Sequence, residues 1–230
     1  STFLQRSYDM LIHDVALSGL HAVFAVDRAG LVGSDGETHQ GIYDVAYLSS
    51  VPGMRIYCPA SFAELRDMLR FAVFHLNGPV AVRYPKSGEG RYTDGGTERS
   101  KVLREGGDIT IITYGISVND ALDAADRLEE DGVSAEIVKL GCIQPIDFTD
   151  IEASAKKTGR VIVLEECAQT GCVGQRVLAW LMTQGVELKS ARLMNLGDRF
   201  IPHGTPDELR RLYGIDANSL YEAAMEDCHA

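Results

Sequence analysis

Helical and strand patterns alternate along this chain, and the strand candidates are short and predominantly apolar. That pattern favours parallel α/β layering, because a strand buried on both faces has no polar side to present to water. Ala22 to Val26 is such a run, closed by Asp27-Arg28. Met54 to Cys58 and Val80 to Val82 are the next two, the latter ending in Arg83-Tyr84-Pro85-Lys86. Beyond residue 100, Ile109 to Thr113, Ala135 to Val138 and Val161 to Leu164 read as strands, and a fourth strand includes Leu193. Helices are expected near Val118 to Glu130, Phe148 to Lys157 and Gly174 to Thr183.

Local signals mark helix starts. Ser61 is placed to cap a helix carrying Leu65, Met68, Leu69 and Ala72. Thr205, Pro206 and Glu208 combine a cap, a first-turn proline and a capping-box acid. Thr2 and Gln5 predict a capping box at the front of a helix that carries Leu4, Tyr8, Leu11, Ile12 and Val15.

Ser87 to Glu98 is rich in Gly and charge and reads as an exposed crossing between two domains, residues 1–90 and 91–230. The second has a complete set of alternating elements. The first opens on a helix and offers only about three strands, so the expectation is a domain whose front portion is missing.

Charge narrows the function classes. The net charge is −11, with 9 basic and 11 acidic residues up to Arg99 and most of the excess acid beyond it. Nucleic-acid binding needs a basic face, which this chain does not offer. Five widely spaced Cys, at 58, 142, 167, 172 and 228, form no C-x-x-C pair and fit free thiols in a reducing cytoplasm, with no metal site expected. No apolar run is long enough to span a membrane.

In open α/β sheets ligands bind beyond the carboxyl ends of the strands. Three polar clusters belong there: Asp27-Arg28, the long loop with Ser34, Asp35, Glu37, Thr38 and His39, and Arg83 to Lys86. Arg and Lys are natural phosphate partners. Histidine is the side chain best suited to proton transfer near neutral pH, so His39 is the acid/base candidate. Gly171 and Gly174 form neither G-x-G-x-x-G nor a Walker pattern and read as a tight strand-to-helix connection. Glu165-Glu166 reads as an exposed or internally satisfied pair at the domain edge.

These segments carry a resemblance. Ser1 to Arg6 (STFLQR), Asp27 to Gly33 (DRAGLVG), Asp35-Gly36 with Thr38 to Gly41 (THQG), Gly78-Pro79, Val82 to Lys86 (VRYPK) and Ile201 to Gly204 (IPHG) occur in the order found in 1-deoxy-D-xylulose-5-phosphate synthases. The chain resembles the C-terminal portion of that transketolase-like, thiamine-diphosphate-dependent family. Gln144-Pro145-Ile146-Asp147 stands where Lys-Pro-Leu-Asp is common.

The resemblance implies a partial pyrimidine-binding domain followed by a transketolase C-terminal-type three-layer α/β domain. It implies condensation of pyruvate with glyceraldehyde 3-phosphate, loss of carbon dioxide, thiamine diphosphate and magnesium as cofactors, and a cytoplasmic homodimer. By the same resemblance Phe3 stacks on the aminopyrimidine with Arg6 beside it, Arg28 and Lys86 hold the substrate phosphate, and Asp35 and His39 line the reacting groups. The family's aminopyrimidine-activating Glu and its diphosphate and magnesium domain would lie upstream of Ser1, so this segment alone is expected to be inactive. The rival readings are another thiamine enzyme, such as a transketolase or a pyruvate dehydrogenase beta subunit, and a non-catalytic interaction module.

Overall fold

The computed structural model describes residues 1–33 and 35–229. It is an α/β structure with two sheets. The first is built from β1 (Ala22–Val26), β3 (Pro79–Arg83), β2 (Arg55–Tyr57) and β7 (Cys142–Gln144), in the order β1-β3-β2-β7. Strands β1, β2 and β3 are parallel, and β7 joins antiparallel to β2. The last strand comes from well past residue 91, so the later part of the chain completes the earlier sheet.

The second sheet has the order β4 (Ser100–Arg104), β6 (Ala135–Leu140), β5 (Ile109–Tyr114), β8 (Arg160–Leu164) and β9 (Ser190–Met194). All its pairings are parallel except β4 with β6. Helices α4 (Val118–Glu130) and α8 (Ala217–His229) cover one face, where Ala121, Ala124, Ala125, Leu128 and Leu220 pack on Ile109, Ile111, Ile137 and Ile162. Helices α5 (Thr149–Thr158) and α6 (Val173–Thr183) cover the other, where Ile151, Ala155, Val177 and Leu181 meet Ile112, Val161 and Val163. The result is the three-layer unit expected. Alternate strand residues point to opposite faces, and both faces are mainly apolar, which is why Val161 to Leu164 of β8 reads as an unbroken apolar run, while β5 carries the buried Thr110 and Thr113 and β6 the buried Glu136 and Lys139.

The core against α5 and α6 continues into the first unit. Leu11, Val26, Val45, Leu48, Ile56 and Ala81 belong to the same cluster, brought there by the N-terminal segment, β1 to β3 and α2 (Asp44–Ser49). Helix α3 (Phe62–His75) packs on the opposite face of the first sheet through Met68 and Ala72 against Val80 and Val82.

Two local expectations change. The N-terminal segment is helical but irregular: a 3-10 stretch (Thr2–Ser7), a short α1 (Tyr8–Met10) and a π-helical stretch (Leu11–Ala16). The Thr2–Gln5 capping box does not form: the Gln5 side-chain NH2 donates to the Thr2 hydroxyl (3.3 Å), and no side chain accepts from a backbone N–H at the helix start. Residues 87–98 adopt no regular structure, yet they are strapped down and not a free crossing. Tyr92 is 6% exposed and donates to Glu64 (2.9 Å), and Arg91 pairs with Asp123 and Asp126 on α4. Glu64 also pairs with Lys139 of β6 at 2.5 Å, both side chains 2% exposed, so a buried ion pair ties α3 to the second sheet.

Candidate active site

Strands β1 and β3 end side by side. The Tyr84 amide donates to the Val26 carbonyl and the Ala29 amide donates to the Tyr84 carbonyl, both at 3.0 Å, which fastens the segment carrying Arg28 to the one carrying Lys86. The chain then reverses through Arg28 at φ +55, a left-handed conformation that costs a side-chain-bearing residue roughly 1 kcal/mol. Gly30 and Gly41 exchange two backbone hydrogen bonds (2.7 and 2.8 Å), closing residues 30–41 into one loop. Gly41 has to be glycine: a Cβ there would lie 1.9 Å from the Arg28 carbonyl oxygen. Inside the loop the buried Gln40 accepts from the Val32 amide (2.8 Å) and donates to the Pro202 carbonyl (3.1 Å), so the loop leans on the second unit.

Beside this loop lies an open groove of about 820 Å³ lined by Phe3, Val23 to Val26 of β1, Asp27, Arg28, Asp35 and His39 among others. Of the residues singled out from sequence, Phe3, Arg28, Asp35 and His39 therefore share one groove. The Phe3 ring is 55% exposed and meets His39 edge-on at 5.1 Å. His39 Nδ1 is 2.8 Å from the Thr38 hydroxyl, which fixes the ring and leaves Nε2 for another partner. Arg6 does not line the groove but lies over the Phe3 ring at 5.4 Å.

Lys86 stands on the far side of Asp35, 3.2 Å from its carboxylate, and faces a neighbouring cleft with Leu31, Val32, Gly33 and His203. Both proposed phosphate cations thus have carboxylate neighbours, Asp27 for Arg28 and Asp35 for Lys86. All four side chains are between about a third and a half exposed, and ion pairs in that setting are weak. Ser34 falls outside the described residues.

Arg83, grouped with Lys86 on sequence grounds, belongs to the core. It donates twice to Asp44 (3.0 and 3.1 Å), with both residues nearly inaccessible, and stacks 5.8 Å from the Tyr114 ring. Burial opposes its charge, but Asp44, Cys58 and Tyr114 together overcome that and hold the guanidinium protonated, well above its ordinary range. Arg83 sits at the end of a strand whose five residues are all buried, so its side chain turns inward where Lys86, three residues on, has left the sheet.

Glu165 and Glu166 are internally satisfied, as one of the two sequence readings had it. Glu165 accepts from Tyr114 (2.9 Å) and from the Val173 and Gly174 amides at the start of α6 (3.0 and 2.8 Å). This is a carboxylate at a helix start, where the dipole favours it, and Gly171 to Gly174 form the tight connection expected. Burial pushes the Cys172 thiol up to about 12 and the Cys58 thiol likewise to about 12, so neither is a ready thiolate. No group of three or more His, Cys, Asp or Glu side chains among the described residues is arranged to hold a metal ion.

Sequence reasoning missed the groups that anchor the loop. Glu166 accepts from the Leu31 amide (3.0 Å) and from Arg210 of α7 (Pro206–Leu212) at 2.9 Å. Asp120 on α4 faces Arg210; burial pushes its carboxyl up to about 6 against the pull of that cation. Only the DRAGLVG glycine could have signalled the contact, since a Cβ at Gly30 would lie 1.9 Å from the Glu166 carboxylate.

Residues 98–220 match the family described as transketolase, C-terminal domain, and residues 1–89 match transketolase, pyrimidine binding domain. The 1-deoxy-D-xylulose-5-phosphate synthase of Chlorobium luteolum is 41% identical over 98% of this chain, and that of Magnetococcus marinus 46% identical over 98%. The chain spans only 37% of the length of each of these relatives. Among solved structures, a split-gene transketolase described as an inactive beta4 tetramer superposes with a TM-score of 0.87 at 28% identity, covering 99% of this chain and 74% of that one. A transketolase from Pichia stipitis, 20% identical, shares the fold with a TM-score of 0.80 over 99% of this chain and 33% of its own. With both domain families matched in order and relatives at 41–46% identity throughout, this chain belongs to the transketolase family and resembles its 1-deoxy-D-xylulose-5-phosphate synthases.

Proposed function

We propose that this chain is the C-terminal part of an enzyme that condenses pyruvate with glyceraldehyde 3-phosphate to 1-deoxy-D-xylulose 5-phosphate, releasing carbon dioxide. The observation that carries the reading is the convergence of Arg28, Asp35 and His39 on one groove, with Lys86 reached through Asp35. Two cations able to exchange their carboxylate neighbours for a phosphate suit an aldehyde phosphate.

Thiamine diphosphate, when bound, supplies the carbanion chemistry. The chain's own residues fit its aminopyrimidine end: the exposed Phe3 ring, with Arg6 over it, gives a flat apolar surface bordering the groove. They do not fit its diphosphate end, for which no metal-holding cluster exists among the described residues. We assign magnesium and the diphosphate to a part of the enzyme outside residues 1–230, and the first domain to residues 1–90 with the second at 91–230.

In this reading Arg28 and Lys86 bind and orient the phosphate, and Phe3 and Arg6 position the ring. His39, steadied by Thr38, holds or moves a proton at Nε2, and Asp35 keeps Lys86 extended until the phosphate replaces it. Pyruvate and glyceraldehyde 3-phosphate are the partners; the net charge of −11 disfavours nucleic acid, and no helix among the described residues is long and apolar enough to cross a membrane. We place the enzyme in the cytoplasm as a homodimer, on the resemblance alone.

The segment by itself is inactive in this reading, in keeping with the inactive state named for the split-gene neighbour. The test is turnover of pyruvate and glyceraldehyde 3-phosphate by the full-length enzyme and by residues 1–230 alone, with cofactor and magnesium. Product from the full-length enzyme only is the expected result. Product from the segment, or a full-length enzyme that accepts ribose 5-phosphate in preference, overturns the reading.

A further inference from the structure

The loop that lines the groove belongs to the first unit, but the group pressed hardest against it does not. Glu166 follows β8 of the second unit and is 6% exposed. One carboxylate oxygen accepts from the Leu31 amide (3.0 Å), and the other accepts from Arg210 Nε (2.9 Å). Gly30 lies so close that it has no room for a side chain. Gly30 in turn is paired to Gly41 through two backbone hydrogen bonds, so fixing one limb of the loop fixes the other. Arg28 stands two residues before Gly30 and His39 two residues before Gly41.

Arg210 is itself held from the other side. It donates to Asp207 in its own helix (3.0 Å) and faces Asp120 of α4. Burial works against its charge, but Glu166 and Asp120 overcome that and raise its pKa. The charged groups therefore come from three elements of the second unit, while the first contributes only backbone. A buried carboxylate with both oxygens engaged has a defined geometry, and that geometry passes directly to the loop.

We propose that Glu166 and Arg210 are positioning residues: as a clamp from the second unit they set the placement of the 28–41 loop, and through it the approach of Arg28 and His39 to the substrate. The proposal deepens the reading of the groove as an aldehyde-phosphate site and rests on it. It gives the C-terminal domain a part in substrate binding beyond completing the core.

Glu166→Gln is the discriminating variant. A glutamine has one acceptor oxygen, so it can serve the Leu31 amide or Arg210 but not both, and its NH2 group then opposes a donor. Arg210→Lys keeps the charge and loses the directed Nε contact, and it carries the same readouts if Glu166→Gln does not fold. Two measurements are made on the full-length enzyme: amide hydrogen exchange across residues 28–41, and KM for glyceraldehyde 3-phosphate and for pyruvate alongside kcat. The expected result is exchange about tenfold faster in 28–41 with β5 and β8 unaltered, the size of one lost charge-assisted hydrogen bond. KM for glyceraldehyde 3-phosphate rises by a similar factor while KM for pyruvate stays within about twofold. Unchanged exchange in both variants overturns the clamp, and so does faster exchange with both KM values and kcat unmoved. A wild-type enzyme that turns over neither substrate overturns the proposed activity instead, and the exchange comparison alone then decides whether the clamp exists.

Discussion

Strand β5, central in the second sheet, has all six residues buried and is paired along both edges. Strand β1, at the margin of the first, has one buried residue in five and is paired only with β3 among the described residues. Both are short apolar strands, yet one is sealed and the other faces a groove. The polar groups of the candidate site follow β1, whereas those following the central strands of the second unit, such as Glu165 after β8, are absorbed by tight turns and helix starts. In the proposed reading the under-packed edge carries the chemistry and the sealed unit carries the anchoring.

The sharpest way to break this contrast is at Asp44 and Arg83, which lie in the first unit yet behave like the second. Asp44→Ala leaves a guanidinium buried without its counter-charge, and the expected cost is about 3–5 kcal/mol in urea unfolding. The double variant Asp44→Leu with Arg83→Met removes both charges and recovers most of that loss. If Asp44→Ala costs no more than a surface change, the pair is solvated and the distinction drawn between Arg83 and Lys86 fails.

The same pair shows where the sequence was legible. Most strands of both units stood out because they are short and predominantly apolar, and the Ser61 and Thr205 caps were visible because each side chain accepts an amide three residues on. Strands β4 and β7 were missed: Ser100 to Arg104, at a sheet edge, holds only two apolar residues and no alternation, and Cys142 to Gln144 is too short to have a period. For the site, Arg28, Asp35 and His39 were legible as polar residues at a strand's carboxyl end. Arg83 looked equally eligible, because nothing in its local sequence reveals an Asp44 partner 39 residues away. Glu166 was hidden in the same way, since its partners are 135 and 44 residues distant.

Asp120 sharpens the contrast from the anchoring side. Its folded pKa of about 6 lies above the ordinary 3.8, so between these values the folded protein holds a proton that the unfolded chain has released. Its contribution therefore favours the folded state at low pH and is lost as pH rises through about 6, the reverse of a salt-bridged carboxylate. Allowing for partial exposure, the loss is about 2 kcal/mol. Asp120→Asn keeps an acceptor for the Ala217 amide and removes the titration. Stability measured from pH 4 to 7 is expected to flatten over that window relative to wild type. A parallel decline in both proteins would show that Asp120, set among Arg210, Glu166 and Asp123, is not the group responsible.

A smaller effect is expected at the α3 cap. Ser61→Ala removes the acceptor for the Glu64 amide and the donor to the Asp94 carbonyl, at about 1 kcal/mol in thermal or urea unfolding. A loss below a few tenths would mean that the strap at residues 87–98 does not depend on the cap.

The smallest stability change belongs to Arg28 in the groove and Lys86 in the neighbouring cleft, and its smallness is the informative part. Arg28→Ala and Lys86→Ala each remove a side chain that is about half exposed and, among the described residues, paired only with a partly exposed carboxylate. Within the second unit a lost charge partner is costly because the remaining group cannot reach water; here Asp27 and Asp35 can. The expected change in unfolding free energy is within about 0.5 kcal/mol, and Arg28→Ala also relieves no strain, since alanine at φ +55 is no more comfortable than arginine. The expected change in KM for glyceraldehyde 3-phosphate is about tenfold for each, because a charge-assisted contact to phosphate is lost in both. A stability loss as large as that of Asp44→Ala would place Arg28 or Lys86 with Arg83 as a structural cation. Unchanged KM with unchanged stability would leave the two cations without a ligand and remove the reason for assigning the phosphate to them.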